Sequence, residues 1–136
     1  MKKYRISEDG KTLVVAKDSI VDKHLRFDGR ILAGIMSCFW GNIEAEEIRL
    51  AGRNVVGGDM ICERAIIGAK SEFNRLIARG NVVIFPRCRG RYVEADSVII
   101  REGCIIGAVR ANRIIIDGLA KIGRLDGGKI IASKDL

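Results

Sequence analysis

Residues 91–107 read RYVEADSVIIREGCIIG, and residues 108–123 read AVRANRIIIDGLAKIG. When the second segment is placed beneath the first, apolar residues stand under apolar residues, as Val109 stands under Val93. Within each segment these residues recur at every second position, which is the spacing of side chains on one face of a β-strand. The two segments therefore predict a repeating unit that is built from short strands and is about 16 or 17 residues long.

The same unit repeats along most of the chain. Its columns are apolar or small except at Arg79 and Arg89. The successive units begin at Asn42, Gly58, Arg75, Arg91, Ala108 and Arg124. The five columns are Ile43, Met60, Ile77, Val93, Val109 and Leu125; Ala45, Cys62, Arg79, Ala95, Ala111 and Gly127; Ile48, Ala65, Val82, Val98, Ile114 and Ile130; Leu50, Ile67, Ile84, Ile100, Ile116 and Ala132; and Val56, Phe73, Arg89, Ile106 and Ile122. By the same spacing, the residues expected to extend the columns upstream are Phe27, Ile31 and Ala33, and then Val14 and Ala16.

This repeat predicts an all-β fold, a single-stranded parallel β-helix (β-solenoid) of six to seven rungs with about 16–17 residues each. The composition agrees, since 21 Ile and 10 Val against 8 Leu favour strands over helices. We expect one β-helix domain over residues 11–132, with a short N-terminal tail at residues 1–10 and a C-terminal tail at residues 133–136. The chain is long enough to form a core without disulfides or metals.

Several classes of protein are disfavoured by the sequence. No apolar run approaches the length of a membrane span, which is roughly 18 residues, and no signal peptide is visible at the N-terminus. No two of the four cysteines form a C-x-x-C pair, and His24 is the only histidine, so a zinc site is not expected. Four free thiols without a signal peptide are typical of a cytoplasmic protein.

Three segments resemble rungs of the bactofilins, a family of polymer-forming cytoskeletal proteins. They are LRFDGR at residues 25–30, GNIEA at residues 41–45 and VRANRI at residues 109–114. The resemblance covers residues from about 20 to 132. It implies a right-handed β-helix that assembles end to end into filaments without nucleotide, and hence a chain whose main partner is itself.

Two surfaces follow from the repeat itself. A solenoid ends in an open strand edge that can pair with another chain. Here that edge is expected at Ile130, Ile131 and Ala132, unless the short C-terminal tail folds across it. A second surface is an outward stripe that could hold a neighbouring rod or be covered by residues 13–15 of the same chain. The candidate lateral interface is Ile66, Val83, Ile99, Ile115 and Ile131.

The formal net charge is +7 and the isoelectric point is about 9.5. Arginines are concentrated near residues 75–91, with Phe85 and Tyr92 among them. They could bind an acidic polymer or a membrane surface, or they could keep a sticky rod soluble. Nucleic acid is a less favoured partner because no nucleic-acid-binding motif accompanies the cluster. The candidate anion patch is Arg75, Arg79, Arg87, Arg89 and Arg91.

An enzyme is not predicted. The hexapeptide acyltransferases are also parallel β-helices, but their repeating unit is a hexapeptide and they use a histidine base. His24 is expected to be a surface corner residue, Cys62 to point inward, and Cys88 and Cys104 to stack at a corner. We therefore predict a cytoplasmic structural scaffold with no cofactor. The alternatives are a β-helix module that binds a polyanion or a partner protein without polymerising and, more distantly, an acyltransferase.

Overall fold

The computed structural model describes residues 4–133, and every regular element in that range is a β-strand. The strands form one sheet that winds into a parallel β-solenoid of about 7 turns, which confirms the predicted fold class. The strands are β1 (Tyr4–Ile6), β2 (Thr12–Val15), β3 (Ile20–Val21), β4 (Leu25–Ala33), β5 (Cys38–Phe39), β6 (Ile43–Leu50), β7 (Val55–Cys62), β8 (Arg64–Ile67), β9 (Glu72–Ala78), β10 (Asn81–Ile84), β11 (Arg89–Ile100), β12 (Ile105–Asp117) and β13 (Lys121–Ser133).

Three ladders of parallel strands give the solenoid three faces. Each ladder is in register from turn to turn, so one residue per turn is enough to define a face. Face 1 runs through Leu25, Ile43, Met60, Leu76, Val93, Val109 and Leu125. Face 2 runs through Leu13, Ile31, Ile48, Ala65, Val82, Val98, Ile114 and Ile130. Face 3 runs through Val21, Phe39, Val56, Phe73, Gly90, Ile106 and Ile122.

The core is the stack of inward side chains from these three faces. On face 2 the two predicted columns are confirmed in full from Ile48 and Leu50 onward, and Val82 and Val98 have no exposed surface. Burial of each such side chain stabilises the fold by roughly 1.5–3 kcal/mol. These stacked aliphatic residues hold the successive turns together around a narrow apolar interior.

The predicted register is wrong on face 1 between residues 75 and 79. Leu76 pairs with both Met60 and Val93, so the turn before it is one residue shorter than the turn after it. This order is the reverse of the predicted one, and a slip of one residue moves a side chain to the other side of a sheet. Leu76 and Ala78 are therefore buried, whereas Ile77 and Arg79 point outward.

On face 3 the inward residue is Gly90 and not Arg89, which is exposed. The ring of Phe73 fills the space beside Gly90, because a Cβ atom there would come within 2.2 Å of that ring. A small residue is thus required at this position, although its neighbours in the column, Phe73 and Ile106, have large side chains. The glycine carries no apolar signal, and this explains why the column was misassigned by one residue.

The first turns also differ from the predicted columns. Leu25, not Phe27, stacks on Ile43, and Leu13 and Val15 take the inward places expected for Val14 and Ala16. The turns that begin at Leu13 and at Leu25 are both longer than the predicted repeat. An irregularity in β4 between Phe27 and Arg30 accommodates the additional length. Residues 4–6, expected within the tail, form β1, which pairs antiparallel with β2.

A buried polar column lines the corner between faces 2 and 3. The Asn54 side chain donates from Nδ2 to the carbonyls of Gly34 and Ser37, at 2.8 and 3.3 Å, and accepts the N–H of Gly52 at 2.9 Å. Its own N–H donates to Ser71 Oγ. These bonds satisfy corner backbone groups that no strand partner can reach. The column consists of Ser19, Ser37, Asn54, Ser71, Cys88 and Cys104.

Asn54→Ala is expected to lower the free energy of unfolding by about 3 kcal/mol, because it leaves two or three buried backbone groups without a partner. Urea denaturation monitored by circular dichroism measures the change. Asn74→Ala is the matched control, since Asn74 faces outward on β9 and is partly exposed. Equal losses for the two variants would show that the Asn54 bonds do not stabilise the corner.

Candidate assembly surfaces

The last turn of the solenoid is uncovered within residues 4–133. β13 pairs with β12 along one edge, and its other edge has no strand partner in this range. Leu125 and Ile130 continue inward columns, yet they are 39% and 45% exposed, whereas Val109 and Ile114 directly beneath them are 1% and 0% exposed. The C-terminal end therefore presents a 13-residue strand edge together with unburied core side chains. The expected end-to-end residues 130–132 lie on it.

The C-terminal tail was expected at residues 133–136. Ser133 belongs to β13, and residues 134–136 lie outside the described residues. The competing expectation that this tail folds across the edge therefore concerns residues beyond the described range.

The opposite end is different. The antiparallel β1 covers the edge of face 2 only, where Tyr4 and Ile6 lie opposite Val15 and Leu13. The side chains of Tyr4 and Ile6 are exposed. On face 3 the first strand, β3, has a strand partner on one side alone in the part of the chain that the structure describes. The two ends of the rod are thus chemically distinct, although both expose apolar side chains such as Tyr4 and Ile130.

The predicted lateral stripe is a continuous column on face 2. Its five residues stack in adjacent turns, and four of them are partly exposed while Ile131 is exposed. The stripe also continues upstream of Arg49 through Leu32 and Val14. Val14 was expected to face inward because the first turn is one residue longer than the predicted repeat, whereas Leu32 lies beyond the interruption at Arg49. Residues 13–15 form part of β2 on this face and do not fold over it.

Arg49 interrupts the stripe without leaving a free charge there. Its Nε donates to Glu47 at 2.6 Å, and Arg30 and Arg64 approach the same carboxylate at 3.1 and 3.3 Å. Burial alone would raise the pKa of Glu47, but the hydrogen bonds from Arg64 and Arg49 hold that pKa below its usual value. Glu47 therefore stays ionised at neutral pH and fixes Arg49 beside the stripe.

A shallow apolar groove of about 500 Å³ opens on face 2 beside the stripe. Leu32, Arg49, Ile66 and Phe85 form its sides, and small residues such as Gly68 form its floor. Phe85 projects from the same column as Gly68, one turn further on. The stripe is therefore bordered by a groove and an exposed aromatic ring, features that a lateral contact could bury.

The five arginines of the candidate anion patch do not come together. Arg75 lies on face 1, where it pairs with Asp59 at 3.5 Å and covers the Tyr92 ring at 5.9 Å. Arg79 pairs with Glu63 at 3.4 Å at the corner between faces 1 and 2. The remaining three, Arg87, Arg89 and Arg91, follow the chain from one corner across face 3 to the next. Residues that are close in sequence here are spread around one turn.

An apolar patch on face 3 was not predicted from the sequence. Trp40 is 67% exposed and lies two residues after Cys38 in the same turn. Cys38 belongs to an outward column with Ile20 and Val55. The signal in the sequence was the single tryptophan at an outward position. It was overlooked because the columns of this face had been defined only from Val56 onward.

The residues considered for catalysis have structural surroundings. His24 Nδ1 accepts the N–H of Asn42 at 2.9 Å at an exposed corner. Cys62 is buried as predicted, and burial raises the pKa of its thiol to about 12. Cys88 and Cys104 stack in adjacent turns as predicted, and their thiols donate to the carbonyls of Gly68 and Phe85, each at 3.2 Å. The interaction between the two neighbouring thiols raises the pKa of Cys88 and lowers that of Cys104. Neither sulfur is exposed to solvent.

An acidic groove of about 690 Å³ lies at the corner between faces 1 and 2. It gathers the carboxylates of Asp28, Glu44, Glu46 and Glu63 from three successive turns. Three of them are paired with arginines: Glu44 with Arg26, Glu46 with Arg64 and Glu63 with Arg79, at 3.9, 3.6 and 3.4 Å. Among the described residues, no group of three or more His, Cys, Asp or Glu side chains is arranged to hold a metal ion.

The chain matches no protein-family model, no curated protein and no solved structure. Residues 4–133 also contain no helix with the length and apolar character needed to cross a membrane. The surfaces of the solenoid are therefore the features from which a function can be inferred.

Proposed function

We propose that this chain is a cytoplasmic scaffold of the bactofilin type, which assembles end to end into filaments without nucleotide. The observation that carries the proposal is the last turn, where core residues such as Ile130 remain nearly half exposed beside a strand edge that has no strand partner within residues 4–133. A second copy stacked on this turn would bury those side chains and pair that edge. A contact that does not close on itself continues as a filament.

Sedimentation velocity at increasing protein concentration tests this proposal. In buffer without nucleotide, we expect the monomer to give way to a broad distribution of large species. Addition of ATP or GTP is expected to leave that distribution unchanged. A single monomeric boundary at every concentration up to about 100 µM would contradict the proposal, since an apolar end of this kind should associate with at least micromolar affinity.

The stripe on face 2 supports lateral association of two filaments. Ile115→Lys is expected to remove bundles while single filaments persist, because an ammonium group in an apolar contact is not solvated. Negative-stain images of filament width measure the effect. Ile105→Lys is the matched control, since Ile105 also faces outward from β12 but lies on face 3. Equal bundling by the two variants would exclude the stripe as the lateral surface.

A non-polymerising module that binds a polyanion is the second candidate. It is favoured by the net charge of +7 and by Arg87, Arg89 and Arg91, for which no ion pair is found within the described part of the chain. Binding that weakens steeply with salt, and that is lost when these three residues become Ser in a protein that stays monomeric, would favour this candidate.

A further inference from the structure

The corner between faces 2 and 3 forms a ridge along the rod, and we call this corner the basic ridge. In five successive turns one residue of the ridge has a left-handed backbone. None of the five is glycine, although glycine adopts this conformation with the least strain. The five residues, with φ between 52° and 63°, are Asp18, Met36, Arg53, Lys70 and Arg87.

Glycine does appear at the equivalent place in the next turn, where Gly103 has φ 77°. The fold therefore accepts glycine at this corner, yet the four turns before it carry the long side chains of Met36, Arg53, Lys70 and Arg87 there. Strained backbone that is retained in this way points to a role for the side chains. Long side chains at a convex corner extend away from the rod.

Three adjacent turns of the ridge carry a cation: Arg53, Lys70 and Arg87. Adjacent turns are about 4.8 Å apart, so the three charges form a row about 10 Å long. Within residues 4–133, none of the three has a carboxylate within 4 Å. Eight other arginines behave differently, because each lies within 4 Å of a carboxylate. Those paired with carboxylates are Arg26, Arg30, Arg49, Arg64, Arg75, Arg79, Arg101 and Arg110.

The same ridge carries exposed apolar side chains before, beside and beyond the row of cations. Ile35 and Met36 precede Arg53 by one turn, and Phe85 lies two residues before Arg87. Leu119, which is 65% exposed, stands at the corner two turns further on. The carboxylates of the ridge are Asp18 at its first turn, Glu102 beside Gly103, and Asp117, which pairs with Arg101.

We infer that the basic ridge binds the surface of an anionic lipid bilayer, with the rod lying flat on it. A row of unpaired cations would contact lipid phosphates, and the flanking apolar tips would enter the headgroup region, as in other interfacial membrane sites. A convex edge suits a deformable lipid surface better than a rigid protein partner, which would need a matching groove. Nucleic acid is less well matched, because the ridge offers no groove that follows a backbone. The inference is independent of filament formation.

Flotation with vesicles tests this inference, using vesicles of phosphatidylcholine alone and vesicles with two parts phosphatidylcholine to one part phosphatidylserine. The wild type is expected to float with the anionic vesicles only. In the triple variant Arg53→Ser, Lys70→Ser and Arg87→Ser, binding is expected to weaken by roughly 100-fold, at about fivefold per cation. The matched control changes three exposed cations elsewhere by Arg113→Ser, Lys121→Ser and Arg124→Ser. It is expected to keep most of the binding.

Two further variants separate a bilayer from a soluble polyanion. Phe85→Ser combined with Leu119→Ser keeps the charge and should weaken vesicle binding by about tenfold, because the apolar tips no longer enter the headgroups. Glu102→Lys should strengthen it. Equal loss in the two triple variants would overturn the inference, as would vesicle binding that is unchanged by the Phe85 and Leu119 substitutions. All variants are also made with Ile130→Lys, so that any effect of polymerisation is measured separately.

Discussion

Ile130→Lys is expected to abolish end-to-end assembly while the monomer stays folded. Ile130 is nearly half exposed at the uncovered turn, so a lysine there can reach water in the monomer. Once a second copy covers this turn, the ammonium group would lie in an apolar junction without a partner, at a cost of several kcal/mol. The concentration needed for assembly should therefore rise by at least about 100-fold, which sedimentation measures directly.

Ile61→Lys is the control for this substitution. Ile61 is exposed to nearly the same extent as Ile130, but it faces outward from β7 in the middle of the rod. We expect this variant to assemble like the wild type. If Ile130→Lys assembles as readily as Ile61→Lys, with both monomers folded by circular dichroism, then the last turn is not the junction.

The largest expected effect on stability comes from Ile100→Asp. Ile100 has no exposed surface and stacks between Ile84 and Ile116 on face 2. A carboxylate at this place would have no hydrogen-bond donor, and its burial costs several kcal/mol whether it is ionised or protonated. A domain of this size is stable by about 5–15 kcal/mol, so we expect the variant to be largely unfolded or to melt far below the wild type.

Ile99→Asp tests the same substitution one residue away. Ile99 points outward from β11 and is partly exposed, so the variant should fold and melt within a few degrees of the wild type. Thermal denaturation followed by circular dichroism compares the two. Similar melting temperatures for Ile99→Asp and Ile100→Asp would refute the inward and outward assignment on this face.

Much of the fold follows from the sequence because side chains in a solenoid stack on the residues one turn away. Face 2 was predicted in full from Ile48 onward, since its turns keep their apolar pairs aligned. Face 1 was wrong near Ile77 because the turn length changes by one residue there, and a column remains apolar when it slips by one. At Gly90 the inward position carries no apolar side chain, so no pattern could locate it.

The candidate surfaces were less predictable for a related reason. Arg75 and Arg87 are close in sequence, but the chain passes around the rod between them and places them on different sides. Arg53, Lys70 and Arg87 occupy the same place in successive turns and stack in one row. In a solenoid, charged residues that lie together in space are therefore spaced about one turn apart in the sequence. The left-handed backbone of this row also depends on corner geometry, which a single sequence does not specify.

Negative-stain electron microscopy of the purified protein, with nothing added, tests the central claim most directly. At micromolar concentration we predict filaments in wild-type samples and discrete short rods in the Ile130→Lys variant. Discrete rods in the wild type as well, across a range of salt and protein concentration, would contradict end-to-end assembly as the function of this chain.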